Sequence, residues 1–122
     1  MVIFDTNILN ELYRGNLMAQ AEIQQIKSDV FYISSITAAE FMVGAQNKTD
    51  FQRIEKHLKK YTIIPVNGDI SDIFIDLFKT YTLSHRPAVA DTLIAATALY
   101  YHLPIYTLNK KDFRFIPGIE LI

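Results

Sequence analysis

Residues 1–9 read MVIFDTNIL, and this stretch decides the fold class. Val2, Ile3 and Phe4 are β-branched or aromatic and wholly apolar, the composition of a strand buried on both faces. Asp5 follows with no lysine or arginine nearby. Thr6 and Asn7 are both helix-capping types, and an apolar pattern resumes at Ile8, Leu9 and Leu12, so a helix over Asn7–Arg14 is expected. A buried strand therefore delivers one carboxylate to its C-terminal end, the edge where open α/β sheets bind ligands. Burying a lone carboxylate is costly unless a partner charge or a metal ion compensates it. The alternative is that Asp5 merely caps the helix.

Outward from this stretch, strand and helix patterns alternate. Leu17–Ile26 carries Met18, Ala21 and Ile26 at helical spacing. Val30–Ile33 reads as the second strand, Ile36–Gly44 as a helix capped from Ser34, Ser35 or Thr37, and Lys48–Tyr61 as an amphipathic helix. Thr62–Val66 is a short strand that Pro65 marks as an edge. Asp69–Thr82 reads as a helix and 83–87 as a loop. Ala88–Tyr101 is apolar on almost every side, as a buried helix is. Ile105–Thr107 is a strand, Asn109–Phe113 a helical turn, and Ile119–Leu121 a last edge strand. The alternation predicts a three-layer α/β/α fold with a central, mainly parallel sheet.

At 122 residues, 50% of them hydrophobic, the chain suits one domain (1–122) with a sizeable core. It has no cysteine, which excludes disulfide frameworks and thiolate metal sites and fits a cytoplasmic location. No signal peptide or membrane-spanning run is read. The net charge is −1, from 12 basic and 13 acidic residues. If several acids share a pocket, the remaining surface is net basic; Lys56, Lys59 and Lys60 cluster, as do Lys110, Lys111 and Arg114. Such a surface suits a polyanion, although each cluster alone is also what a solvated face looks like. His57, His85 and His102 show no ligand spacing and are expected on the surface or in loops. Tyr100 and Tyr101 are read as packing groups.

Three acids stand alone in apolar surroundings: Asp5, Glu40 and Asp91. Parallel connectivity gathers them. Asp5 ends a strand, Glu40 lies in the first turns of the helix after the second strand, and Asp91 begins a helix that runs antiparallel into the strand Ile105–Thr107. Asn109 and Asp112 emerge at the same edge. Carboxylate and carbonyl oxygens without cysteine or paired histidine suit a hard cation, Mg²⁺ or Mn²⁺. Local roles compete with this one. Thr37 to Glu40 matches a capping box, with Ile36 and Phe41 placed as a staple. Asp91 suits a helix N-terminus, and Asp112 fits an exposed position.

The segments VIFDTNIL, TAAEFMVGA, VADTLIAATAL and YTLNKKDF, in this order and spacing, resemble the PIN-domain family and, more closely, VapC-type ribonuclease toxins of bacterial toxin–antitoxin pairs. The likeness runs from Met1 to the final PGIEL. It implies a Mg²⁺- or Mn²⁺-dependent endoribonuclease that hydrolyses RNA phosphodiesters, forms a homodimer and is held inactive by a cognate VapB-like antitoxin. Asp5, Glu40 and Asp91 match the family's first three acids and are assigned as metal-binding and catalytic. The fourth family acid often falls where this chain has Asn109; some relatives place an acid a few residues later, which Asp112 matches, so Asp112 is assigned as catalytic with the other three. Thr6, Asn7, Thr107 and Asn109 are assigned orienting or substrate-side roles. Two other classes compete. Asp5-Thr6-Asn7, with Gly68, Asp69 and Asp72 further on, loosely resembles haloacid-dehalogenase-like phosphotransfer enzymes, which normally carry a second acid at the position of Asn7. A non-catalytic PIN-like binding module would keep the fold without the chemistry.

Overall fold

The computed structural model describes all 122 residues. Four strands form one sheet: β1 (Val2–Phe4), β2 (Phe31–Ser34), β3 (Thr62–Ile64) and β4 (Ile105–Tyr106). Their spatial order is β3-β2-β1-β4, and every pairing is parallel. β1 is central and buried at all three positions, as its unbroken apolar run requires. β3 is an edge strand, with Thr62 and Ile63 exposed beside the chain-breaking Pro65. Instead of a full edge strand, the last residues make a single parallel bridge, Leu121 to Ile105.

The pleat of β1 splits the core. Val2 and Phe4 point to one face and pack with Ile8, Leu9, Ile33, Phe41, Ile54 and Leu58. Ile3 points to the other and packs with Ile70, Ile94, Ile105 and Phe113. The helices α1 (Thr6–Tyr13), α2 (Leu17–Gln25), α3 (Ser35–Val43) and α4 (Lys48–Leu58) connect β1 to β2 and β2 to β3. The helices α5 (Gly68–His85) and α6 (Val89–Tyr101) carry the chain across to β4. α6 has a continuous buried stretch, Ile94–Ala98, as its apolar sequence predicts. None of these helices is long and apolar enough to cross a membrane.

Helix starts follow capping chemistry. The side chains of Asp5, Asn16, Ser34, Asn47 and Asn67 each accept an N–H from the first turn of the helix that follows. Several local expectations change. α1 begins one residue early because Asp5 itself is the cap. α2 buries Ala19, while Met18 and Ala21 are exposed; the helix is covered only along a narrow line. α5 runs through the expected loop to His85 and stops where Arg86 turns left-handed at φ 45°. His57 is not a surface group: it lies half-buried among Tyr13, Phe41 and Tyr61. Burial, with the charge of Lys60 nearby, lowers its pKa. Tyr100 and Tyr101 sit partly exposed, edge to face with one another, rather than in the core.

Chain direction reverses its progress across the sheet between β1 and β4: β1, β2 and β3 step one way and β4 returns to the other side of β1. The crevice outside the C-terminal ends of these two strands is the topological switch point. Asp5 and Thr107 are the residues that follow them.

Candidate active site

Asp5 is only 5% exposed. Its Oδ1 accepts the Thr6 N–H at 2.7 Å and its Oδ2 accepts the Thr107 hydroxyl at 2.8 Å. Burial pushes its pKa up, the two hydrogen bonds pull it down, and the charges of Glu40 and Asp112 push it up again. So Asp5 does cap α1, and it is also a buried carboxylate facing other acids.

Glu40 is not half of a capping box. Ser34 caps α3, and Thr37 lies inside the helix, fully buried. Glu40 Oε1 instead accepts the Thr6 hydroxyl at 2.7 Å. Thr37 Oγ1 stands 3.2 Å from that same hydroxyl. A hydroxyl has one proton. The shorter, charge-assisted bond to Glu40 takes it, so the Thr37 oxygen meets the lone-pair side of Thr6. Thr37 is the residue that sequence reasoning missed, having been read only as a cap; its place one helical turn before Glu40 was the available signal.

Asp91 sits in the first turn of α6, partly buried. Its pKa is pushed up to about 6 by burial and by the charges of Asp5, Asp112 and Glu40, with no hydrogen bond opposing them. Asp112, in the 3-10 turn Lys110–Asp112, lies close enough for its charge to act on both Asp5 and Asp91. Asn109 contributes through its backbone: its N–H donates to Thr107 Oγ1 at 3.0 Å. Asn7 Oδ1 accepts the Leu108 N–H at 3.4 Å, a long bond that ties α1 to the loop after β4. All eight residues singled out in the sequence therefore lie at one sheet edge.

The only ion pair in the chain is Arg14 with Glu11, so none of the four acids has a cationic partner. The donor set is all oxygen, and the Asp91 carboxylate is free of protein hydrogen bonds, which fits a hard cation in chemistry. No three of the acids close around a single point in the present side-chain arrangement. Lys110, Lys111 and Arg114 are exposed on the turn that carries Asp112. A polar groove of about 610 Å³ has Glu40 as part of its wall.

The sequence profile of the PIN domain matches residues 2–118. The chain is 31% identical over 129 aligned residues to a protein named Ribonuclease VapC from Rickettsia bellii, covering 99% of this chain and 94% of that one. It is 30% identical to Ribonuclease VapC1 of Rickettsia felis over 99% of this chain and 94% of the relative. Among solved structures, it superposes on a chain of a toxin–antitoxin complex from Klebsiella pneumoniae with a TM-score of 0.83 and 34% identity, covering 100% of this chain and 96% of the other. It shares its fold with a chain of VapBC-1 from nontypeable Haemophilus influenzae at a TM-score of 0.84, 24% identity, and coverage of 100% and 97%.

Proposed function

The chain belongs to the PIN-domain family, and on that footing we propose that it is a Mg²⁺- or Mn²⁺-dependent endoribonuclease, the VapC-like toxin of a toxin–antitoxin pair. The observation that carries this reading is a set of four carboxylates around one crevice with no cation to balance them. The relatives named ribonuclease VapC and the similar toxin–antitoxin complex support the substrate class and a VapB-like antitoxin partner.

Asp5 and Asp91 would be the principal metal ligands, with Glu40 beside them; Asp112 and the Asn109 side chain would supply a weaker second set. A divalent ion held there would supply Lewis-acid chemistry, lowering the pKa of a bound water and balancing charge on the phosphate. Thr107 and the Thr6 N–H fix both oxygens of Asp5, so its free lone pairs keep one direction. Thr6, backed by Thr37, holds Glu40 to orient the attacking water. Asn7 and the Asn109 backbone hold the loop that carries Thr107. Exposed Lys110, Lys111 and Arg114 attract the RNA backbone. The phosphotransfer alternative is weaker, because the charges felt by Asp5 come from Glu40 and Asp112, not from Asp69 or Asp72.

The test compares purified wild type and Asp5→Asn on single-stranded and structured RNA in Mn²⁺ and in EDTA, with p-nitrophenyl phosphate as a second substrate. Wild type should cut RNA only with metal and leave the ester intact, and Asp5→Asn should be folded and inactive. Release of phosphate from the ester without RNA cleavage would favour the phosphotransfer class. Neither activity would favour a binding module.

A further inference from the structure

The groove beside Glu40 is lined from α1 by Asn10, Tyr13 and Arg14, and from the start of α4 by Asn47, Asp50 and Arg53. Its volume of about 610 Å³ is in the range of small-ligand sites. The groups in it that can donate to an occupant are Arg14, Arg53 and the Asn47 amide, and they face two carboxylates, Glu40 and Asp50. Asp50 spends both oxygens internally: Oδ1 accepts the Tyr13 hydroxyl at 2.7 Å and Oδ2 the Gln46 N–H at 3.0 Å. Asn47 Oδ1 accepts the Asp50 N–H at 2.8 Å, which leaves its NH₂ unbound. Arg53 lies over the Tyr13 ring, 5.6 Å from its centroid, so the guanidinium is held at the wall. Arg14 meets Glu11 at only 3.4 Å on a side chain that is 70% exposed, an ion pair weak enough to exchange.

Two guanidinium groups and a free amide on a wall shared with the acidic cluster suit one occupant. We propose that this groove holds the single-stranded RNA nucleotide next to the scissile phosphodiester, with Arg14 and Arg53 taking its phosphate oxygens. Arginine's planar fork matches phosphate oxygens bidentately, and its face accepts an unstacked base. Glu40 links the two sites: it lines the groove and accepts from Thr6, so the groove between α1 and α4 shares a wall residue with the acidic crevice. The proposal rests on the endoribonuclease reading for the identity of the strand. An acidic peptide is the competing occupant, and it has no such continuity with a phosphodiester site.

The test measures fluorescence anisotropy of a fluorescein-labelled ten-nucleotide single-stranded RNA of mixed sequence, in EDTA, across a salt series. Arg14→Ala and Arg53→Ala should each raise Kd about 10-fold and flatten the slope of log Kd against log salt by roughly 0.7. Arg53→Lys should recover part of the loss, and Lys79→Ala, on the exposed side of α5, should recover none because it loses none. Thermal melts and the Mn²⁺ response of each variant should match wild type. If the arginine variants bind RNA as wild type does, or if Lys79→Ala loses as much, the groove is not an RNA subsite. Displacement of the RNA by oligoglutamate, at equal concentration and in wild type only, would reassign the groove to an acidic peptide. Cleavage in Mn²⁺ separates this from the parent reading. Intact cleavage with unaffected arginine variants overturns the groove alone, and arginine-dependent binding without cleavage overturns the ribonuclease alone. Wild type that neither binds nor cuts RNA overturns both.

Discussion

Asp91→Asn should stabilise the metal-free protein while destroying its activity. In the folded chain the Asp91 carboxyl titrates at about 6, against an ordinary 3.8, because burial and three neighbouring acids oppose its charge. At full strength that difference is worth about 3 kcal/mol. Partial exposure screens it, and the N-terminus of α6 favours the charge by about 0.3–1 kcal/mol, so about 1–2 kcal/mol is expected. The folded pKa is the higher one, so the cost is complete above about 6, shrinks as pH falls through that value and vanishes below 3.8. In EDTA at pH 7.5 the Asn variant should melt roughly 3–10 °C above wild type. At pH 3.5 the two curves should nearly coincide. Saturating Mn²⁺ should reverse the order, because wild type gains a ligand charge where the variant has none. A variant less stable than wild type at pH 7.5 in EDTA, or an advantage that does not shrink on acidification, would refute the electrostatic account of this crevice.

Wild type should gain up to about 2.7 kcal/mol from Mn²⁺ at a hundredfold excess over its dissociation constant; an unmoved melting curve would remove the metal from the proposal. Asn109→Asp should tighten Mn²⁺ binding in calorimetry, and Asp112→Ala should lose less affinity and activity than Asp5→Ala; equal losses would make Asp112 a primary ligand. Thr107→Val keeps the side-chain shape but leaves Asp5 Oδ2 without its donor, so it should cost about 1–3 kcal/mol and most of the cleavage rate; wild-type activity would show that Asp5 needs no such support. Sedimentation at micromolar concentration should give a homodimer, and monomer alone would count against that assembly.

What could be read from the sequence, and what could not, follows from the range of the interactions. β1, the cap region and the buried helix α6 were legible because each is written in adjacent residues. Gathering the acids at one edge was legible because parallel connectivity leaves little choice of direction. The capping-box reading of Glu40 failed because a local motif was outcompeted by a contact with Thr6, 34 residues away. The bond from Thr107 to Asp5 spans 102 residues and has no local signature. The exposure of Met18 and Ala21 on α2 is not legible, because periodicity identifies a stripe without saying how much of it a neighbour covers. The groove has no local signature for a related reason: its arginines lie at the end of α1 and on α4, and each alone looks like an ordinary surface charge.

The placement of β1 between β2 and β4 also governs when the chain becomes competent during synthesis. β1 is completed on one side only by β4, which follows it far along the chain. Until residues 105–107 have been added, Val2, Ile3 and Phe4 present an open backbone edge, and Asp5 lacks its partner hydroxyl. Pairing across so long a stretch of chain carries a loop-closure cost that local pairings avoid. A prematurely terminated chain is thus left with an unpaired strand edge, and the surroundings of Asp5 are complete only when the sheet is.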